Sequence, residues 1–366
     1  MRAKTIDVAD AVGKVLSHDV TKIIRGEFKG PAFRKGHVIT EDDVGELLKL
    51  GKDKVYVLEL EGDEVHEDEA GVRLGRAAAG PGVTCSAPKE SRVNLFADRA
   101  GLLKINIPAL EAVNGLPEVI LSTLPNNTPV APGEMVAGTK VIPLVVKEAV
   151  VKAAEEIGAA CGGIVRVEPF QPLAVGIVVT GNEVYYGRIK DDFGPVLGQK
   201  VESFGCTVLA VEHAPDDAPA IARLIDSLIA RGARLVLVSG GMSVDPDDVT
   251  PQGIRLSGAA IEKYGSPVLP GAMFLLAYHG DVPVLGVPAC GMFFRITVLD
   301  LVLPRLLTGE RLTRRDIVAL AHGGLCRGCP ECRYPRCSFG LAGAGNGPGA
   351  ERGSRDHRRV GHEVYL

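Results

Sequence analysis

The pattern of hydrophobic residues changes near residue 170. Beyond it, short apolar runs rich in β-branched residues alternate with longer stretches of helical periodicity, which is typical of strands buried between two layers of helices. This alternation predicts an α/β domain over 171–312 with a doubly wound, mainly parallel sheet. The predicted strands cover 173–180, 207–213, 234–239 and 282–286, and the predicted helices cover 195–204, 216–231 and 293–307.

The rest of the chain follows different patterns. Residues 1–60 mix strand-like and amphipathic helical stretches and predict a small α+β N-terminal domain. Residues 61–170 are rich in β-branched residues and in turn signals, which predicts a β-rich middle region. A cysteine-containing segment follows at 322–340. Residues 341–366 are rich in glycine and arginine, and we predict a disordered tail there because so few apolar side chains cannot form a core.

The segment 239–251 combines three features directly after a predicted strand: a glycine pair, a cluster of carboxylates and a helix start with a hydroxyl N-cap before proline. Backbone amides of a glycine turn and of a helix N-terminus bind phosphate, and a hard cation bridges phosphate to carboxylate oxygens. We therefore predict a phosphate and Mg²⁺ site here. In chain order the residues are Ser239, Gly240, Gly241, Ser243, Asp245, Asp247, Asp248, Thr250 and Pro251.

The carboxylates also have ordinary structural interpretations. Asp245 and Asp247 belong to a residue type that caps turns in loops, and we favour that interpretation for both. Asp248 has the alternative of capping the helix that follows, although capping alone does not require the glycine pair. We interpret Asp216 as a solvated residue at the start of another helix.

Charge and composition exclude several classes of function. The net charge of −4 and the pI near 6.1 provide no electrostatic basis for binding nucleic acid or an anionic membrane. No apolar run is long enough to cross a bilayer, and the first residues lack the apolar core of a signal peptide. We therefore expect a cytoplasmic protein that binds neither nucleic acid nor membrane.

Four of the eight cysteines lie within twelve residues. In a reducing compartment such a cluster predicts metal binding rather than disulfides. Four thiolates fit tetrahedral zinc, and the repeated Cys-x2-Cys spacing is also similar to the run that binds a [4Fe–4S] cluster. Both alternatives stay open, and a structural role is favoured because four cysteines leave no open position on the metal. The predicted ligands are Cys326, Cys329, Cys332 and Cys337.

Three strand-end motifs together resemble those of a known family. They are Thr180-Gly-Asn-Glu-Val184, Ser239-Gly-Gly-Met-Ser243 and Asp248-Val-Thr-Pro251, and they are similar to the molybdopterin-binding domain of molybdenum-cofactor biosynthesis proteins. That family includes MoeA-type molybdotransferases, MogA- and MoaB-type adenylyltransferases, and CinA-like proteins. The resemblance covers about residues 170–310. The middle region and the cysteine-rich end also resemble a group of MoeA-related molybdopterin-binding proteins.

The resemblance implies roles for individual residues. Glu183 and Asp248 match the acidic residues that hold Mg²⁺ at the phosphate, and the resemblance implies that both act in catalysis. Gly240 and Gly241 match the glycines whose amides face the pterin phosphate. The other residues implied to bind molybdopterin are Gly181, Asn182, Ser239, Ser243 and Thr250.

The resemblance also implies a function in molybdenum-cofactor biosynthesis. A molybdopterin molybdotransferase would insert molybdate into adenylated molybdopterin with Mg²⁺-dependent release of AMP. MoeA-type enzymes carry Lys-Pro-Gly-Lys-Pro where this chain has Leu269-Pro-Gly-Ala-Met273, and the missing lysines favour the alternative of a non-catalytic carrier that passes molybdopterin to an apo-molybdoenzyme. A molybdopterin adenylyltransferase is another alternative, and hydrolysis of a nucleotide derivative is a more distant one. The resemblance further implies a homo-oligomer.

Overall fold

The computed structural model describes residues 2–24, 28–59, 62–89, 91–243 and 245–340. The predicted tail, 341–366, lies outside the described residues. Across the part of the chain that is described, no helix has both the length and the apolar character needed to cross a membrane.

Within its described residues, the N-terminal region contains a three-stranded antiparallel sheet, a second pair of antiparallel strands, a short 3₁₀ turn at Val8–Asp10 and one α-helix. Its elements are β1 (Arg2–Asp7), β2 (Val15–Leu16), β3 (Val20–Ile24), β4 (Phe28–Phe33), α1 (Glu41–Lys49) and β5 (Lys54–Glu59). Strand β5 is the centre of the sheet, between β1 and β2, and β3 pairs with β4. Leu16, Leu47 and Val57 belong to one buried cluster, which gives this region its own core.

The middle region is built mainly of antiparallel strands, with three helices beside them. Its elements are β6 (Glu64–His66), α2 (Glu67–Ala78), β7 (Val83–Cys85), β8 (Val93–Ala97), β9 (Gly101–Ile105), α3 (Ile107–Asn114), β10 (Val119–Thr123), β11 (Pro129–Val130), β12 (Met135–Val141), β13 (Val145–Lys147), α4 (Glu148–Ala160) and β14 (Val165–Glu168). Arg73 of α2 joins this helix to α4 through ion pairs to Glu148 at 2.7 Å and to Glu155 at 2.8 Å.

The α/β domain follows, and its sheet is mainly parallel as predicted. Its elements are β15 (Ala174–Thr180), α5 (Asn182–Tyr185), α6 (Phe193–Glu202), β16 (Thr207–Ala214), α7 (Ala218–Ala230), β17 (Leu235–Ser239), α8 (Thr250–Leu256), β18 (Ala260–Tyr264), β19 (Leu275–His279), β20 (Val282–Val287), α9 (Val298–Leu307) and α10 (Arg314–Ala319). The strand order is β16-β15-β17-β20-β19-β18; the first four strands run parallel, and β19 and β18 are antiparallel additions at one edge.

Alternate side chains of the central strands enter two separate cores, one on each face of the sheet. Ile177 and Leu237 pack with α6 and α9, whereas Val178 and Val238 pack with α7 and α8. Helices therefore cover both faces, which explains why these strands are apolar along their whole length.

The helix predicted over 293–307 is wrong at its start. Helix α9 begins only at Val298, because Thr297 is its N-cap and Asp300 accepts a hydrogen bond from the backbone N–H of Thr297 at 2.7 Å. A short 3₁₀ turn, Ala289–Met292, precedes it. The intervening segment 293–296 is largely exposed and belongs to the loop after β20.

Candidate functional site

The parallel strands end side by side. Val179 of β15 is paired with Ser239 of β17, and Ser239 is paired with Val287 of β20. The loops after these three strands therefore begin at the same edge of the sheet, where doubly wound domains bind their ligands.

The glycine turn after β17 requires glycine at both positions. Gly240 has φ +89°, and a Cβ there would collide with the carbonyl oxygen of Thr180. Gly241 has φ +52°, and a Cβ there would lie 2.7 Å from the hydroxyl oxygen of Thr250. The backbone N–H of Thr250 donates to the carbonyl of Gly241 at 3.1 Å. The turn is thus packed tightly between the end of β15 and the start of α8.

Thr250 has a different role from the one predicted. It is the first residue of α8 rather than the N-cap, a position that Val249 occupies. Its side chain is fully buried, and its hydroxyl lies 3.1 Å from the hydroxyl of Thr180. This buried pair of hydroxyl groups joins the loop after β17 to the last residue of β15.

Asp248 closes its own loop instead of capping α8. Its carboxylate accepts a hydrogen bond from the backbone N–H of Asp245 at 2.9 Å, and its backbone N–H donates to the carbonyl of Asp245 at 2.9 Å. The phenol of Tyr264 lies close by and donates to the carbonyl of Met242 at 2.8 Å. Burial raises the pKa of Tyr264, and the charge of Asp248 raises it further. This loop is therefore held by its own hydrogen bonds and by β18.

Asp216 lies near three other carboxylates, although the sequence pattern indicated a solvated residue. Its carboxylate accepts from the backbone N–H of Asn182 at 3.0 Å, and the Asn182 side-chain oxygen accepts from the backbone N–H of Asp216 at 3.3 Å. Burial raises the pKa of Asp216, and the negative charges of Glu183, Asp247 and Asp248 add to the increase. Four carboxylates from three loops thus share one electrostatic environment. We call these four residues the acidic cluster.

A sequence signal for Asp216 existed. Strand β16 ends at Ala214, and its register with β15 places that end beside Thr180. Asp216 therefore follows a parallel strand at the same edge as the other loops, so strand position, rather than its proximity to a helix start, indicates its location.

The remaining predicted ligand residues differ in accessibility. The Ser239 side chain is fully buried, and its hydroxyl has no hydrogen-bond partner within the described residues. Ser243 is exposed. Glu183 is exposed, and its carboxylate folds over Gly181. Gly181 has φ +140°, and a side chain at this position would place its Cβ 2.8 Å from a Glu183 carboxylate oxygen. Glycine at 181 therefore leaves room for this carboxylate.

Neither predicted metal site is preassembled. Among the residues that the structure describes, no three His, Cys, Asp or Glu side chains converge into a group able to hold a metal ion. The four C-terminal cysteines nevertheless line one cavity together. The acidic cluster lies at the strand ends, with Asp216 and Asp248 each already holding a backbone N–H.

The fold and this edge define a class of protein: a doubly wound α/β domain with a candidate ligand site at its strand ends, made of a glycine turn and an acidic cluster. Comparison with known families specifies the class. Residues 176–308 match the family described as "Probable molybdopterin binding domain", so this chain carries a domain of that family. Residues 5–59 match a family described as a domain of unknown function, DUF8806.

Individual proteins are similar to part of the chain. A molybdopterin molybdenumtransferase of Synechococcus elongatus is 28% identical over 127 residues, which is 32% of this chain and 32% of the relative. A CinA-like protein of Mycobacterium sp. strain MCS is 35% identical over 75 residues, which is 20% of this chain and 18% of that protein. The match thus spans about a third of the transferase and less of the CinA-like protein. The solved structure of MoaB from Thermus thermophilus is 22% identical and aligns over 38% of this chain and 98% of its own, with a TM-score of 0.31.

Proposed function

We propose that this protein acts in molybdenum-cofactor biosynthesis as a molybdopterin molybdotransferase, with adenylated molybdopterin and molybdate as substrates. The observation that carries the proposal is the acidic cluster beside the Gly240–Gly241 turn, on a domain that matches the molybdopterin-binding family. The 28% identical transferase supports the reaction class. In this proposal the glycine turn faces the phosphate of the substrate, and the buried Ser239 hydroxyl, which has no partner among the described residues, lies at the same strand end.

The residues of the cluster fit Mg²⁺. Their oxygen donors are those that Mg²⁺ prefers, and Mg²⁺ is often held by only one or two carboxylates together with substrate phosphates and waters. A site without three converging carboxylates therefore suits this ion when the phosphate completes its coordination. Glu183 and Asp248 would hold the ion. When bound, Mg²⁺ neutralises phosphate charge and polarises the phosphoryl oxygen.

The protein's own residues position the charges. Asp216 fixes the backbone of Asn182, the first residue of α5, and thereby the start of the short helix that carries Glu183. Asp245 holds Asp248 by two hydrogen bonds. Without a cation the cluster would repel a phosphate, so the charge pattern favours a substrate that arrives with Mg²⁺.

A non-catalytic molybdopterin carrier is the second candidate. The loop at Leu269, which lacks the lysines of MoeA-type enzymes, is hydrogen-bonded to the C-terminal segment: the N–H of Leu269 donates to the Gly324 carbonyl, and the N–H of Cys326 donates to the Leu269 carbonyl, each at 2.8 Å. The two residues that match the family's lysines, Leu269 and Ala272, therefore provide no cation for an oxyanion.

Release of AMP separates the two candidates. Purified protein is incubated with adenylated molybdopterin, Mg²⁺ and molybdate, and AMP is measured over time. For a molybdotransferase we expect molybdate to stimulate the release of AMP. The rate of this release should fall about 100-fold in Asp248→Asn, which is the typical effect of removing one group that stabilises charge in the transition state. The matched control is Asp192→Asn, which removes an exposed carboxylate at the start of α6, outside the acidic cluster, and should retain full activity. Stoichiometric binding without AMP release would instead establish the carrier, and conversion of molybdopterin and ATP to the adenylated form would establish the adenylyltransferase.

A further inference from the structure

The C-terminal segment 325–339 encloses a cavity of about 530 Å³ against the α/β domain. All four cysteines of the segment line this cavity, and the opposite wall is the segment 293–296. That wall belongs to the loop after β20, whose strand end is paired with β17. The cavity is therefore formed by a thiol-rich segment on one side and by a loop that begins at the ligand-binding edge on the other.

Both ends of the thiol-rich segment are anchored, but its centre is not. At one end Cys326 is hydrogen-bonded to Leu269 at 2.8 Å. At the other end the phenol of Tyr334 donates to the carbonyl of Asp300 at 3.3 Å, and Phe339 is buried in the domain core. Between them, residues 327–332 make no backbone hydrogen bond to any described part of the chain. The centre can thus rearrange without breaking backbone hydrogen bonds.

The charge of the cavity lining complements a metal–thiolate centre. Arg295, Arg327 and Arg333 line the cavity, whereas Glu331 is the acidic residue in the lining. None of the three arginines forms an ion pair with any residue that the structure describes. Four thiolates around a divalent ion carry a net negative charge, which these guanidinium groups would stabilise.

We propose that Cys326, Cys329, Cys332 and Cys337 bind one thiolate-ligated metal centre and that binding closes the cavity onto segment 293–296. The thiols line one cavity without converging, and zinc–sulfur bonds are only about 2.3 Å long, so binding must draw them together. Each thiol releases its proton to solvent as it binds, and no sulfur is oxidised. Zinc and a [4Fe–4S] cluster share this chemistry. The proposal goes beyond the proposed function and does not depend on molybdopterin binding.

Metal content tests the ligands. Full-length protein is purified once aerobically with zinc and once anaerobically with iron and sulfide, and metal per chain is measured. About one tightly bound zinc, or about four iron with a visible absorbance band, supports the proposal and identifies the centre. Cys329→Ser combined with Cys332→Ser should abolish binding, whereas Cys85→Ser, which alters an exposed cysteine of β7, should retain it. Substoichiometric metal in both preparations, or full binding by the double variant, would overturn the proposal.

A fluorescent reporter tests closure. The chain contains no tryptophan, and Phe293 lines the cavity with 80% of its surface exposed. In Phe293→Trp, we expect the emission of the introduced indole to shift to shorter wavelength when metal binds. Tyr186→Trp is the matched control, because Tyr186 is 62% exposed but does not line the cavity, and its emission should not shift. Stoichiometric metal binding with no shift at position 293 would contradict closure.

Discussion

The close contact of Gly240 with the end of β15 makes a quantitative prediction. In Gly240→Ala the new Cβ meets two obstacles: a backbone φ of +89°, and the carbonyl oxygen of Thr180. Positive φ costs a non-glycine residue about 1–2 kcal/mol. Overpacking that shifts the backbone costs about 1–3 kcal/mol more. We therefore expect the free energy of unfolding to fall by about 2–5 kcal/mol.

Gly232→Ala provides the matched control. Gly232 has φ +101°, but a Cβ there would meet no atom within 4 Å. Its substitution introduces the backbone strain without the collision and should cost only about 1–2 kcal/mol. Urea unfolding followed by circular dichroism measures both variants under the same conditions. If both lost the same stability, the collision with Thr180 would carry no cost, and the argument that this turn requires glycine for its close approach would be refuted.

Three further predictions follow from the hydrogen bonds and charges near the site. Thr250→Val leaves the buried Thr180 hydroxyl without its 3.1 Å partner and should lower the free energy of unfolding in urea by about 1–3 kcal/mol. The double variant with Thr180→Val should recover part of that loss, because no unpaired hydroxyl remains; strictly additive losses would contradict the pairing. The pKa of Asp216 is raised from the ordinary 3.8, so the stability of the apo-protein should decrease as pH rises from the unfolded-state pKa through the raised folded-state pKa. Asp216→Asn should remove this decrease, and a variant with an unchanged pH profile of stability would contradict the shift. Lys200→Met leaves Asp300 without its 2.6 Å ion pair in a mostly buried setting and should lower the thermal midpoint, with a cost of about 3 kcal/mol; an unchanged midpoint would show that the pair contributes no stability.

The parallel core of the α/β domain was predictable because its strands are buried on both faces. Apolar runs without a polar face, each ending at a glycine or a polar loop, indicated the strands β15, β17 and β20 and the edge where their loops begin. The glycine turn was predictable for the same reason, since Gly240 and Gly241 directly follow β17.

The details that failed depend on contacts between distant parts of the chain. Thr250 looks like an N-cap in isolation, but its hydroxyl pairs with Thr180, which is 70 positions away. Asp216 looks like a solvated helix start, but it binds the backbone of Asn182. The late start of α9 is different, because it is set by a local capping pair, Thr297 with Asp300, that lies within the sequence of the helix start itself. Local periodicity carries no information on such partners.

Calorimetric titration with adenylated molybdopterin, with and without Mg²⁺, tests the central claim most directly. Wild-type protein should bind the compound with one site per chain, and Mg²⁺ should tighten binding because it separates the phosphate from the carboxylates of Glu183, Asp216, Asp247 and Asp248. The Mg²⁺ effect should be lost in Asp248→Asn and retained in Asp192→Asn. Absence of binding by the wild-type protein in either condition would contradict the account of this edge as a molybdopterin site.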